Sequence, residues 1–481
     1  MDLFKPKCKK TSTENYSVEI LAVIIASLSS LTNGIFFSWP SPFILKISKD
    51  KENYDISEEE ASKFAMLPFI FVMLSCPIFS RLGDIFGRKR ILLLTAFVDL
   101  AVWILKAYGR NVFVFYFARI LVGISDGIMF ATLPAYLGEV SSPNVRGTWG
   151  NSMSVSFLTG ELLVTVVGSY FNVWQTSYIF IPIPIVFFVF FSFLPESPYF
   201  YMMRGRYDDA KKSLQKLRQR DDVTADFLSL KADVDRQMSE EGTWKETLMI
   251  RSNRRALAAG IFLRISQVFG GAQAFVTFTQ YIFNKSVGTI SAETSSIIFI
   301  SIGLLLSLFA SFAGDWFGRR KAYIGSLFPC GLVLFFEAIY FFIHQEQPDI
   351  DISSYHWVPL FGMILYSIFS SYGINIMPTL MLGELFSASF RAKAMTVVLI
   401  TTGTASFSAN ALFYFFSSNY GLYAPFLFFG FCNMVSTILC YFILPETKNR
   451  TLEEIQQLLK RTRPQRPEKK IEKLMDGSEL F

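Results

Sequence analysis

Apolar residues run in long unbroken stretches along most of this chain, and polar residues collect in the gaps between them. Runs long enough to cross about 30 Å of hydrocarbon lie at 19–45, 61–80, 90–108, 111–138, 149–170, 175–194, 255–283, 294–313, 322–343, 356–382, 394–417 and 421–444. A backbone in lipid must satisfy its own hydrogen bonds, so runs of this length predict helices, here called spans 1 to 12. One long polar stretch, 195–254, separates the sixth span from the seventh. Within it Tyr207–Arg220 and Thr224–Met238 carry helical patterning and read as short amphipathic helices. Thr451–Leu459 reads the same way, and the sequence beyond Arg461 is polar enough to stay disordered.

Composition agrees with that pattern. Only 17% of the 481 residues are charged, against about 25% in a soluble domain, and 52% are hydrophobic, with 52 Phe. So few charges cannot cover a soluble surface of this size. A soluble enzyme, a nucleic-acid binder and a secreted disulfide scaffold are thereby excluded. The five Cys show no pairing pattern, and four lie in apolar runs as small hydrophobes. Two His, His344 and His356, in or next to one loop, cannot build a metal site. The basic start before Val18 resembles a signal peptide, but the apolar run is too long and lacks a small-residue cleavage site. It is expected to be a retained first span.

Lys and Arg set the expected orientation. With the N-terminus in the cytoplasm, 36 of the 45 fall on inner segments and seven on the outer side (Lys46, Lys49, Lys51, Lys63, Lys106, Arg110 and Lys285). Arg119 and Arg264 fall inside spans. Both termini and the 195–254 segment are expected on the cytoplasmic face.

The two halves repeat. RLGDIFGRKR (Arg81–Arg90) follows span 2 and GDWFGRRK (Gly314–Lys321) follows span 8. GEVSSPNVRG (Gly138–Gly147) follows span 4 and GELFSASFRA (Gly383–Ala392) follows span 10, with seven positions from Glu to Arg in each. Span 6 ends in PESP (Pro195–Pro198) and span 12 in PETK (Pro445–Lys448). Three repeats in the same order mark a duplicated six-span unit. The expected fold is an all-α membrane protein: twelve transmembrane helices in two six-helix bundles. Its parts are a cytoplasmic tail 1–18, a bundle 19–194, a helical linker 195–254, a bundle 255–444 and a cytoplasmic tail 445–481. Two such bundles around a midplane site are the architecture of a rocking transporter.

These motifs, with Arg119-Gly123-Gly127, Pro134-Tyr136-Glu139 and the TLEE of the tail, resemble those of the sugar porters of the major facilitator superfamily over nearly the whole chain. Trp39–Pro42, Met381–Phe386 and the Gln spacing in span 7 look most like the insect facilitated trehalose transporter-like group. The resemblance implies interhelical ion pairs that close the inner face. In one half they would involve Asp84, Arg88, Glu139, Arg146 and Glu196, and in the other Asp315, Arg319, Glu384, Arg391 and Glu446. It also implies a sugar site at midplane in spans 5, 7, 10 and 11. Gln267 and Gln273 take two of the family's polar positions in span 7, and Gly270-Gly271 is expected to break that helix and turn carbonyls toward the cavity. Asn375 and Thr379 in span 10, Ser154 in span 5, and Thr402 and Asn410 in span 11 complete the candidate site.

The chain departs from the family pattern in span 10, where a Pro and a Trp are missing, and in span 7, where Val268 replaces a Gln. Proton-symporting relatives carry an Asp in span 1 where this chain has Pro40, which favours facilitated diffusion. Asp99, Asp126 and Glu161 nevertheless fall near the middle of spans 3, 4 and 5. Acids there need partners or water, and Arg119 and Arg264 are the candidate bases. The expected function is facilitative transport of a sugar of the trehalose or hexose class across the plasma membrane, with no cofactor and no nucleic-acid partner. A non-transporting sugar sensor and a proton-coupled carrier of another small polar solute are the alternatives. No nucleophile elbow, metal cluster or phosphate loop points to an enzyme.

Overall fold

The computed structural model describes residues 16–239, 249–286, 290–347, 349–350, 353–386, 388–448, 454, 455 and 457. They are almost wholly helical. Ten helices are long and apolar enough to cross a membrane, and the bent pair Arg251–Thr277 and Thr279–Lys285 makes an eleventh. Ala292–Phe317, apolar over its first turns, is the twelfth.

The polar stretches expected as loops after spans 2 and 8 are mostly helix. Span 2 runs to Phe86 and span 3 starts at Arg88; span 8 runs to Phe317 and span 9 starts at Arg319. A single glycine makes each turn, Gly87 at φ 107° and Gly318 at φ 87°, a region that residues with a Cβ avoid. Glu196 and Glu446 explain why so short a turn holds. Glu196 Oε1 accepts from the Lys89 amide at 2.9 Å, and Glu446 Oε1 from the Arg319 amide at 3.0 Å. Each carboxylate sits on a helix N-terminus, where the exposed amides favour an anion.

Helix packing repeats as the sequence does. In the first half span 1 packs on span 5, span 2 on span 4, and span 3 on spans 4 and 6. In the second half span 7 packs on span 11, span 8 on span 10, and span 9 on spans 10 and 12. The halves meet along two matching seams, span 2 with span 11 and span 5 with span 8. Small residues permit the closest approaches. Gly34 of span 1 lies against the backbone of Phe157, and Gly160 of span 5 against the backbone of Leu31. A Cβ would come within 1.9 Å and 2.1 Å of those carbonyl oxygens.

Among the described residues the linker carries the helices Pro198–Met203, Tyr207–Arg218 and Thr224–Ser239. The second stops two residues short of the expected end because Gln219 turns left-handed. The linker has a small apolar core of its own, with Met202, Ala210 and Val234. It docks under the first half, where Arg218 forms an ion pair with the fully buried Glu19 of span 1 and donates to the Val140 carbonyl. Tail residues 1–15 and most of Thr451–Leu459 lie outside the described residues.

Candidate functional site

Spans 1, 7 and 10 are interrupted, and the breaks in spans 7 and 10 lie beside several of the candidate residues. Span 1 is broken at Trp39, before Pro40 and Pro42. Span 10 stops at Tyr372 and restarts at Met377. Span 7 stops at Val268 and restarts at Ala272, with Gly271 at φ 100°. This break is the expected one, but its carbonyl does not face the cavity. Gly270 O is taken by the Tyr366 hydroxyl at 2.9 Å and the Asn433 amide at 3.0 Å, both buried. A freed carbonyl inside a helical bundle needs a donor, and spans 10 and 12 supply two.

Two of the candidate residues come together around Gln267. Its Nε2 donates to the Asn375 carbonyl at 3.3 Å, and its Oε1 accepts from Arg264 Nη1 at 2.7 Å. Arg264 therefore pairs with an amide rather than with one of the membrane acids. Gln273 Oε1 accepts from the Ser406 hydroxyl at 2.7 Å, joining spans 7 and 11. Asn375 and Thr379 are exposed on span 10. Two other candidates are placed less favourably. Thr402 turns its hydroxyl back to Val398 O. Asn410 is fully buried, with its amide on Ser406 O, and has no surface to offer in this state. Ser154 is exposed and lies near the middle of span 5, Pro143–Tyr170, level with Ser30 of span 1, whose hydroxyl donates to the adjoining Met153 carbonyl. Glu161 holds the middle of the helix Ser152–Tyr170 and is buried.

A row of rings crosses spans 1, 2, 4 and 5 of the first half. Phe37 is 6.2 Å from Phe69 and 5.5 Å from Phe157, and Phe130 is 6.4 Å from Phe157. Among 52 Phe, nothing in the sequence marked these four.

The charged motifs build the same device twice. Arg88 Nε reaches Glu139 Oε1 at 3.2 Å, and Arg319 Nε reaches Glu384 Oε1 at 3.2 Å. The second oxygen of each carboxylate accepts a hydroxyl, from Ser197 in one half and from Thr447 at 2.5 Å in the other. Arg146 donates to the carbonyls of Gly138 and Ser141, and Arg391 to those of Gly383 and Phe386. Arg88 also holds Asp84 at 2.8 Å. The side chain of Asp315 lies outside the described residues. These links stay within one half, and the described part of the face that carries them is exposed. Beside Gly138, Gly147 and Gly383 there is free space, and Arg146, Trp149 and Arg391 are exposed.

On the opposite face the halves are joined. The Gln280 amide of span 7 donates to Ser41 Oγ at 3.2 Å, and Gln280 Nε2 donates to Ser169 Oγ at 2.8 Å. Gln280 is only 4% exposed there.

Asp99, Asp126, Arg119 and Lys106 gather in the core of the first half, while Glu161 is buried apart from them in span 5. Asp99 accepts from Ser125 at 2.5 Å. Arg119 gives its N–H groups to the carbonyls of Phe64 (2.6 Å) and Phe36 (2.7 Å) rather than directly to Asp126. Lys106, expected on the outer side, is instead fully buried near the end of span 3. Its ammonium lies over Trp39, Phe36 and Trp103, at 4.1, 4.5 and 5.0 Å from the ring centres. Ring faces stabilise a cation out of water. Two acids and two bases thus share one core.

Two related helical halves, joined on one face and parted on the other around a broken helix with amide side chains, define a solute carrier of the alternating-access kind. The chain belongs to the family described as sugar (and other) transporter, whose model matches residues 21–459. The facilitated trehalose transporter Tret1 of Apis mellifera ligustica is 28% identical over 93% of this chain and 89% of its own length. Tret1 of Polypedilum vanderplanki is 28% identical over 91% and 87%. The xylose transporter XylE from E. coli shares the fold. Its inward open conformation gives a TM-score of 0.75 at 18% identity, covering 92% of this chain and 99% of that one.

Proposed function

We propose that this chain carries a sugar of the trehalose or hexose class down its gradient across the plasma membrane. The linker, both termini and the Arg88–Glu139 and Arg319–Glu384 pairs lie on the cytoplasmic face, as the distribution of Lys and Arg favours. Residues 19–194 and 255–444 are the two moving bodies, and the described state opens toward the cytoplasm. When the inner face closes, the two charged clusters approach and help to hold it shut. The observation that carries the sugar reading is the amide pair Gln267 and Gln273 on the broken span 7, with exposed Asn375 and Thr379 opposite. Neutral donors and acceptors of this kind match hydroxyls. The relatives named for trehalose transport narrow the class.

Downhill transport is supported by the core of the first half, where Asp99 and Asp126 are balanced by Arg119 and Lys106. Saturable uptake of radiolabelled trehalose, glucose or fructose in oocytes tests the reading. Uptake should not exceed equilibrium and should be insensitive to a protonophore. Gln273→Ala removes one net hydrogen bond, worth about 1 kcal/mol, and is expected to raise KM about fivefold. Binding without flux would instead mark a sensor.

A further inference from the structure

Spans 3 and 9 are twins, each beginning at the arginine after its turn glycine. Eighteen residues on from Arg88 stands Lys106, and eighteen on from Arg319 stands Glu337. Both are buried, at 0% and 1% exposure. Lys106 has three aromatic faces around its charge. Glu337 has no comparable support, because neither carboxyl oxygen has a hydrogen-bond partner among the described residues. Its carboxyl fills the space left by Gly362 of span 10, where a Cβ would stand 1.7 Å from Oε1.

The groups around Glu337 are neutral. Tyr340, one turn on in span 9, is the titratable neighbour, and its hydroxyl also lacks a partner among the described residues. His344 stacks on Tyr340 at 6.3 Å and reaches the end of the helix. Span 10 carries Tyr366, already bonded to Gly270 O, and Tyr372, bonded to Gly325 O. Span 12 carries Tyr423, Cys432, Cys440 and Tyr441. Span 8 carries Glu293 in its first turn, far along the helix axis. Span 10 also carries Glu384, which pairs with Arg319 at the far end of span 9, and among the described residues no hydrogen bond reaches the Glu337 carboxyl.

A carboxylate in that place would be an unpaired charge out of water, and such a group takes its neutral acid form instead. We propose that Glu337 is a proton-binding site of the carrier, and that its occupancy sets the contact between spans 9 and 10. With the proton bound, the acid nests dry against Gly362. When the proton leaves, the anion must draw in water or part the two helices. Span 10 also carries Asn375 and Thr379, so the loss reaches the sugar site. Fold and transport are therefore favoured at lower pH and weakened as pH rises. The inference does not depend on which sugar is carried, and its test uses none.

The purified full-length protein in detergent is treated with dicyclohexylcarbodiimide, an apolar reagent for carboxylic acids. The acid oxygen bonds to the central carbon while its proton passes to one nitrogen. Acyl transfer to nitrogen then leaves a stable N-acylurea. Mass spectrometry is expected to find the adduct on Glu337, with more at about pH 6 than at about pH 9, the upper range for buried carboxyls. The melting temperature of the wild type should fall over that interval by more than that of Glu337→Gln. No adduct on Glu337 at either pH, or equal pH dependence of melting in both proteins, overturns the proposal. The labelling arm needs no variant, so it stands even if Glu337→Gln does not fold.

Discussion

Replacing Arg88 by alanine is expected to destabilise the protein by about 3–5 kcal/mol, the range for removing one partner of a buried ion pair. The guanidinium side chain is 8% exposed and that of Glu139 is 14% exposed. Arg88 holds Glu139, Asp84 and the Gly83 carbonyl together. Without it Glu139 keeps only the Ser197 hydroxyl as a described partner, and a nearly buried carboxylate is left without its cation. Arg319→Ala in the twin position should cost less, about 1–2 kcal/mol, because Glu384 is 30% exposed and solvent screens it. Melting temperatures of the two detergent-purified variants provide the check. A larger loss for Arg319→Ala would show that exposure does not rank these pairs.

Gly34→Leu is expected to be at least as damaging, at more than about 4 kcal/mol, and to leave little folded protein in the membrane. The contact of spans 1 and 5 is backbone on backbone. A Cβ at Gly34 would stand 1.9 Å from Phe157 O, and the main chain of a helix cannot move aside as a side chain can. Gly138→Leu is the control, since nothing lies within 4 Å of a Cβ there and its effect should be small. Fluorescence-detected size exclusion of tagged variants would compare the two. Equal peaks would remove the case for a tight seam between spans 1 and 5.

Much of this protein is legible in its sequence. Apolar runs have few readings in a chain so short of charge, and the repeated motifs carry the duplication. Polar strings are harder, because a string such as RLGDIFGRKR reads as loop until one sees that a single glycine turns the chain. Glu196, more than a hundred residues away, caps the helix that begins just after that glycine. Lys106 is misleading for a related reason. A lysine near the end of an apolar run reads as a side chain reaching for water, and the rings that hold it come from two spans that only folding brings together. The Gly270 carbonyl is similar: the break is visible in the sequence, but the donors on Tyr366 and Asn433 are not. Asn410 shows the limit of placing a site by alignment, since the direction of burial is a tertiary fact.

The central claim is that the two halves open on one face only while they close on the other. Cysteines placed at Ser41 and Gln280 test it most directly, because the Ser41 hydroxyl lies 3.2 Å from the main-chain nitrogen of Gln280 across the closed face. Oxidation should join them, stop sugar uptake, and leave the inner face reactive to a thiol reagent at an added cysteine at Thr379; reduction should restore transport. Uptake that continues at the full rate with the bridge formed would contradict a carrier that works by parting its halves there.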